Sequence, residues 1–241
     1  MTHAVIPAAG RGERMGSKTR KQFLALCGRP VIVHTLSIFQ KSPFIDDILC
    51  VASKEDQPFL ERLIAEHGLT KVKRILPGGE RRQDSVQVAI EYLEREGRPD
   101  DIVLVHDGVR PLVPPELIER VAREAYKSGG AVAALPVTDS LKEVSADGII
   151  EKSVAREKIW SMQTPQAFRL SLLIEACRKA AGDGFYGTDE AMLVERIGVP
   201  IRCIQGSSEN IKITTPSDLK IAELLLSSRS ASDRGADRVS S

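Results

Sequence analysis

Short apolar runs rich in Val, Ile and Leu recur along the chain, and most of the gaps between them hold one amphipathic segment of helical length. The runs are residues 4–7, 45–52, 72–76, 102–106, 131–136 and 201–205. Apolar residues return at helical spacing over residues 31–40, 58–67, 84–96, 115–127, 170–181, 190–197 and 217–226. Strand then helix, repeated, restricts the fold more than any other feature. A strand followed by a crossover helix and another strand pairs in parallel, and such sheets need helices on both faces. The expectation is an α/β domain over residues 1–228, with a mostly parallel sheet covered on both faces. Ligands in such folds bind beyond the carboxyl ends of the strands, so chemistry belongs in the strand-to-helix loops.

Charge excludes one class of partner. The 241 residues carry 34 basic and 33 acidic side chains, a net charge of +1, so no general nucleic-acid surface is expected. Anion binding must come from local clusters. Cys27, Cys50, Cys177 and Cys203 show neither CxxC nor zinc spacing and read as buried reduced thiols. No apolar run approaches a membrane span and no secretory leader is recognisable, so the expected location is the cytoplasm.

Two stretches break the rhythm. Residues 138–160, "TDSLKEVSADGIIEKSVAREKIW", read as two short strands around the turn "ADG", with charges on both faces. They form either an arm, about residues 138–158, that grips a second subunit, or a plain surface hairpin. The stretch 229–241 is almost free of apolar residues and is expected to be a disordered tail.

Four strand-end loops carry polar residues suited to phosphate or ribose. "AVIPAAGRGERMG", residues 4–16, runs from a strand into glycines and arginines, followed by "SKTRKQF". Glycine lets backbone N–H groups approach an anion closely. No GKS or GKT follows, and the spacing misses GxGxxG, so both a phosphate loop and a solvated turn remain open. "PGGERRQDSV", residues 77–86, is either a second such loop or a turn whose Asp84 or Ser85 caps a helix. "VLVHDGVRP", residues 103–111, puts Asp107 just past a buried strand, well placed for a divalent metal, with Arg110 close by. His106 reads either as a general base or as a packed histidine. "SENIKIT", residues 208–214, reads as a short strand bearing Glu209 and Lys212. "QTPQAF" offers Thr164 beside a proline-fixed turn, and "YGTDEAML" offers Thr188 and Asp189 as a helix cap.

In order and spacing, "IPAAGRGERMG", "KQF", "GGERRQDSV", "VHDGVRP", "PVTDSLK", "TPQAF", "TDEA" and "ENIKITTPSDL" resemble the 2-C-methyl-D-erythritol 4-phosphate cytidylyltransferases, from about residue 4 to residue 226. The resemblance implies a Rossmann-like fold and a reaction of the non-mevalonate isoprenoid route. CTP and methylerythritol 4-phosphate would give the CDP-alcohol and pyrophosphate, with Mg2+ or another divalent cation. It implies that the opening loop, with Ala8, Ala9, Gly10 and Gly12, wraps the triphosphate, and that Arg14 and Lys21 clamp it. Gly79, Arg82 and Ser85 would surround the cytosine, and Asp107 would lie near the ribose and hold the metal, with Gly108 and Arg110, the latter near enough to join a phosphate site, among the binding residues. Glu209 and Lys212 would lie near the α-phosphate and the alcohol phosphate. Arg156, Thr164 and Thr188 would contact the alcohol phosphate, and Asp139 and Ser140 match an arm position. An arm of this family reaches across a homodimer, so Arg156 and Ser140 would serve the partner's site.

Three positions depart from the family's pattern. Arg20 stands where proline is frequent, Ser140 replaces a frequent threonine, and Glu209 stands where aspartate is common. A ribitol 5-phosphate cytidylyltransferase and a non-catalytic nucleotide-binding module are the rival readings. The implied chemistry needs no general base, because the attacking phosphate is already an anion.

Overall fold

The computed structural model describes residues 1–10 and 20–239, the last ten as backbone alone. Arg11, Gly12, Arg14 and Lys18 lie outside the described residues. The strands are β1 (Thr2–Pro7), β2 (Ala25–Leu26), β3 (Arg29–Pro30), β4 (Asp47–Ala52), β5 (Val72–Pro77), β6 (Ile102–Val105), β7 (Gly130–Pro136), β8 (Leu141–Val144), β9 (Ile150–Val154), β10 (Trp160–Arg169) and β11 (Arg202–Gln205). The helices are α1 (Val31–Lys41), α2 (Gln57–Glu66), α3 (Arg82–Glu96), α4 (Pro115–Ser128), α5 (Leu170–Gly182), α6 (Glu190–Glu195) and α7 (Pro216–Val239).

Seven strands form one sheet in the order β11-β7-β10-β6-β1-β4-β5. All its strand pairs are parallel except those that β10 makes with β6 and β7. The alternation along β1 shows how the sheet is covered. Ala4 and Ile6 face one core with α1, α2 and α4, while Val5 faces the other with α3, α5 and α6. Side chains alternate across a strand, and burial on both faces gives the continuous apolar runs seen in the sequence. A third cluster, with Leu26, Val109, Ile213 and Ala222, seats α7. At the start of α7, the Asp218 carboxylate accepts from the backbone N–H groups of Thr214 and Thr215, and the Thr215 hydroxyl accepts from the Asp218 N–H. That reciprocal cap is the one "TPSD" encodes.

Three expectations are corrected. The proline-fixed turn at "QTPQAF" lies inside β10, a central strand, and the ladder with β7 shifts register between Met162 and Gln166. Proline has no N–H for a ladder, and the irregular register there accommodates it. "SENIKIT" forms no strand; the backbone turns at Ser207–Asn210 and then returns through the hydrogen bond from Ile213 N–H to Val109 O. α7 runs to Val239, and its Arg229 donates to Glu209 and to the Leu112 carbonyl. The four cysteines are free, but Cys27 and Cys203 are exposed rather than buried.

The two strands of the hairpin, β8 and β9, pair with each other and with no strand of the large sheet. They leave that sheet where β7 and β10 pair last, at Pro136 and Trp160. Among the described residues, no helix is long and apolar enough to cross a membrane.

Candidate active site

The carboxyl ends of β1, β4, β5 and β6 open into a cleft of about 830 Å³, within the range of small-molecule sites. Its floor is backbone. Ala8 N–H donates to Val51 O, and Gly78 N–H donates to Ala52 O, which draws the first two loops together. A Cβ on Gly78 would stand 2.4 Å from the Ala9 Cβ, so this approach requires glycine. Gly79 is held in turn by Ser85, whose hydroxyl accepts from Gly79 N–H and donates to Arg81 O. Ser85 is buried and shapes the loop. Asp84, not Ser85, closes the helix cap, its carboxylate accepting from Arg81 N–H at 3.0 Å.

Lys21 lines the cleft from a short helical turn, Lys21–Phe23, behind the first loop. Two neighbours fasten that turn. Gln22 is buried and donates to Ala8 O at 2.6 Å. Arg20, at the position of the frequent proline, donates to the Ser53 hydroxyl at 2.6 Å and the Asp56 carboxylate at 2.5 Å. Its charge is thus spent on holding that turn against the start of α2.

Asp107 is the focus of the charges. Arg82 Nε stands 3.0 Å from its Oδ1, Lys212 Nζ 2.8 Å and Arg110 Nε 3.6 Å from its Oδ2. Burial opposes its charge, but Arg82, Lys212 and Arg110 outweigh burial and hold the carboxyl well below the usual range. It is an anion at any physiological pH. Arg82 also grips Glu190, Nη1 to Oε1 at 2.7 Å and Nη2 to Oε2 at 3.0 Å.

His106 is resolved by its partners. It is fully buried, and burial pushes its pKa down to about 4, so the ring is neutral. Arg110 O, 3.1 Å from Nε2, can only accept, so Nε2 carries the proton. Nδ1 is then the acceptor for the Thr164 hydroxyl at 3.1 Å, and Thr164 Oγ1 accepts from Asp107 N–H. This chain of hydrogen bonds fixes the loop that bears Asp107. A general base would need a proton-accepting face toward the cleft, and neither ring nitrogen offers one.

Most residues expected at the site meet here: Ala8, Ala9, Gly10, Lys21, Gly79, Arg82, Ser85, Asp107 and Lys212 all line the cleft. Arg110 and Thr164 stand directly behind Asp107, and Gly108 packs against Pro7 O and Ile32. Four others lie apart. Glu209 pairs with Arg229 at 2.7 Å instead of facing the cleft. Thr188 is exposed, with its hydroxyl toward Met192 Sδ. Ser140 and Arg156 are exposed at the hairpin, where Arg156 donates to the Thr138 carbonyl. Residues that the sequence did not single out are Arg20 as an anchor, Gln22, Asn210 and Glu190. Asn210 is wholly buried and donates to Thr164 O at 2.7 Å; its place inside "ENIKIT" was the available signal.

The family model described as 2-C-methyl-D-erythritol 4-phosphate cytidylyltransferase matches residues 2–228. A protein of that name from Syntrophus aciditrophicus is 46% identical over 224 residues, 92% of this chain and 94% of that one. Another, from Geotalea uraniireducens, is 42% identical over 226 residues, 93% and 96% of the two chains. The crystal structure of a 2-C-methyl-D-erythritol 4-phosphate cytidylyltransferase from Thermus thermophilus superposes with a TM-score of 0.75 at 35% identity, covering 92% of this chain and 97% of that one.

Proposed function

This chain belongs to the 2-C-methyl-D-erythritol 4-phosphate cytidylyltransferase family, and we propose that it joins CTP to 2-C-methyl-D-erythritol 4-phosphate, giving 4-diphosphocytidyl-2-C-methyl-D-erythritol and pyrophosphate in non-mevalonate isoprenoid synthesis. The observation that carries the reading is the meeting of Lys21, Lys212 and the Arg82–Asp107 pair in one cleft that glycines leave open at the strand ends. A triphosphate presents several negative charges, and a cleft lined by cations such as Lys21 and Lys212 is what stabilises them.

The reaction is a displacement at the α-phosphorus of CTP. An oxygen of the alcohol phosphate forms the new P–O bond as the bond to pyrophosphate breaks. A phosphate monoester is largely dianionic at neutral pH, since its second pKa is about 6. The nucleophile therefore needs no base, and the barrier is repulsion between anions. Catalysis rests on alignment and on charge placed in advance. Lys21 neutralises the triphosphate from the first loop. Lys212, paired with Asp107 Oδ2, would meet the oxygens around the α-phosphorus. By the resemblance, Arg14, outside the described residues, would complete the cationic clamp.

Asp107 would be the residue to hold a divalent cation such as Mg2+: it is an ionised carboxylate whose oxygens already draw Arg82 and Lys212, and that ion commonly takes one or two carboxylates together with substrate phosphates. Such an ion would neutralise the departing pyrophosphate. The homodimer and the cytoplasm belong to this proposal too. Exposed Val144, Ile149 and Ile150 on the hairpin offer an apolar surface to a second copy. Arg156 and Ser140 would then enter the partner's cleft.

The test is pyrophosphate release from CTP with either alcohol phosphate. Release that depends on methylerythritol phosphate and is far slower with ribitol 5-phosphate supports the reading. Equal or faster release with ribitol 5-phosphate, or none with either, overturns it.

A further inference from the structure

We propose that Glu190 is a positioning residue for the transfer reaction, acting on Asp107 through Arg82; the inference rests on the function proposed above. Glu190 is 2% exposed, at the first position of α6, and lies on the side of Arg82 away from Asp107. Its two oxygens take both terminal nitrogens of the guanidinium, and the remaining Nε donates to Asp107 Oδ1. A guanidinium is planar and rigid, so fixing the Nη pair also fixes the direction of Nε.

An ordinary role for Glu190 is easy to name. An acid in the first turn of a helix interacts favourably with the helix dipole. That role is already filled next door. Asp189 caps α6, its Oδ1 accepting from Met192 N–H at 3.0 Å, and its Oδ2 accepts from Gln166. A dipole partner also has no need of burial, whereas Glu190 is buried against a cation from α3, 108 residues away in the chain. The loop before α6 is clipped to the same helix start. Gln83 accepts from Gly187 N–H at 2.7 Å and donates to Phe185 O at 3.1 Å.

The charge count gives the reason. Arg82, Arg110 and Lys212 surround Asp107, and with Glu190 three cations face two carboxylates. Without Glu190, three cations would compete for one. Arg82 would be free to turn its fork onto both oxygens of Asp107 or into the cleft toward the triphosphate. Either movement takes Asp107 and Lys212 out of alignment with the α-phosphorus. Glu190 draws off the fork, leaves one Arg82 contact on Oδ1, and keeps Oδ2 for Lys212. It also ties the Thr188 loop to the nucleotide side of the cleft.

The experiment is a double-variant cycle with Glu190→Gln and Arg82→Gln, assayed well below the unfolding midpoint of each protein. Glu190→Gln keeps the shape and removes the charge. The expected result is a fall of about 10–100-fold in kcat, the range found when a supporting partner of an active-site group is lost, with KM for CTP changed by less than about threefold. Arg82→Gln should fall by a similar factor, and the double variant no further than the worse single, because the two act as a unit. If Glu190→Gln does not fold, Arg82→Lys keeps the cation without the fork and should show the same loss in kcat. A folded Glu190→Gln or Arg82→Lys protein with near-wild-type kcat overturns the proposal, and so do losses that multiply in the double variant. A wild-type protein without alcohol-dependent pyrophosphate release fails the functional reading instead.

Discussion

Asp107 and Arg156 are matched by the same family resemblance, but their surroundings are opposite. Asp107 is almost completely buried, held by three cations, and its loop is braced by His106, Thr164 and the backbone of β1. Arg156 is exposed beside a two-stranded hairpin, and its guanidinium reaches back to the hairpin's own base at Thr138. The cleft is organised within one chain, since its side chains already have the partners that fix their geometry. The hairpin carries exposed apolar side chains, and its charges pair with each other at the surface, as Lys152 with Glu143 at 3.3 Å. A region of the first kind acts by preorganisation, and one of the second kind acts when something else receives it.

The largest effect should follow from removing a cleft cation. Lys21→Ala is expected to lower kcat by about 10²–10³ while far-ultraviolet circular dichroism stays native, because one preorganised donor is worth about that factor. Near-normal turnover of the folded variant would break the contrast, leaving the cleft no more important than the surface.

Mixing sharpens the contrast further. If Arg156 serves the partner's cleft, Lys21→Ala and Arg156→Ala subunits should be inactive apart and regain about a quarter of wild-type activity when exchanged in equal amounts. Half the dimers are then mixed, and one of the two sites in each is intact. Absence of recovery, with exchange confirmed, would show that the hairpin acts within its own chain.

A smaller effect is expected where the cleft floor is tightest. Gly78→Ala places a methyl 2.4 Å from the Ala9 Cβ, so the first loop must move. KM for CTP should rise several-fold with a milder loss of kcat, read by initial rates at saturating alcohol phosphate.

The smallest effect concerns pH. With its pKa held down to about 4, His106 stays neutral from pH 6 to 9 and adds no inflection to kcat there. His106→Gln should leave the shape of that profile unchanged even if its height falls. In stability the sign is fixed by the lowered pKa. The neutral ring's contribution is complete above about pH 6.5, the unfolded value, and is lost as pH falls toward 4. Unfolding midpoints of wild type should therefore drop between those values more than those of His106→Gln.

Much of this was readable before the fold was known, and what was not has physical causes. The parallel strands announced themselves because burial on both faces demands continuous apolar runs, as in "DILCVA" and "IVLV". β10 stayed hidden because Pro165 interrupts it and its buried positions include the polar Gln163, Thr164 and Gln166; the neighbours β6 and β7, not local preference, make it a strand. "SENIKIT" alternates like a strand, but its N–H groups meet Val109 and a turn rather than a ladder. Lys21, Asp107 and Lys212 were legible as charges beside strand ends. Glu190 was not, since an acid opening a helix looks like ordinary dipole chemistry until the fold brings Arg82 to it.

The most direct test of the central claim follows the label in CTP. With the α-phosphate labelled, the account predicts that label appears in the alcohol product and never in pyrophosphate, at a rate that depends on methylerythritol phosphate and collapses in Lys21→Ala. Label that leaves as free CMP, or transfer of the γ-phosphate in place of the α-phosphate, would contradict it.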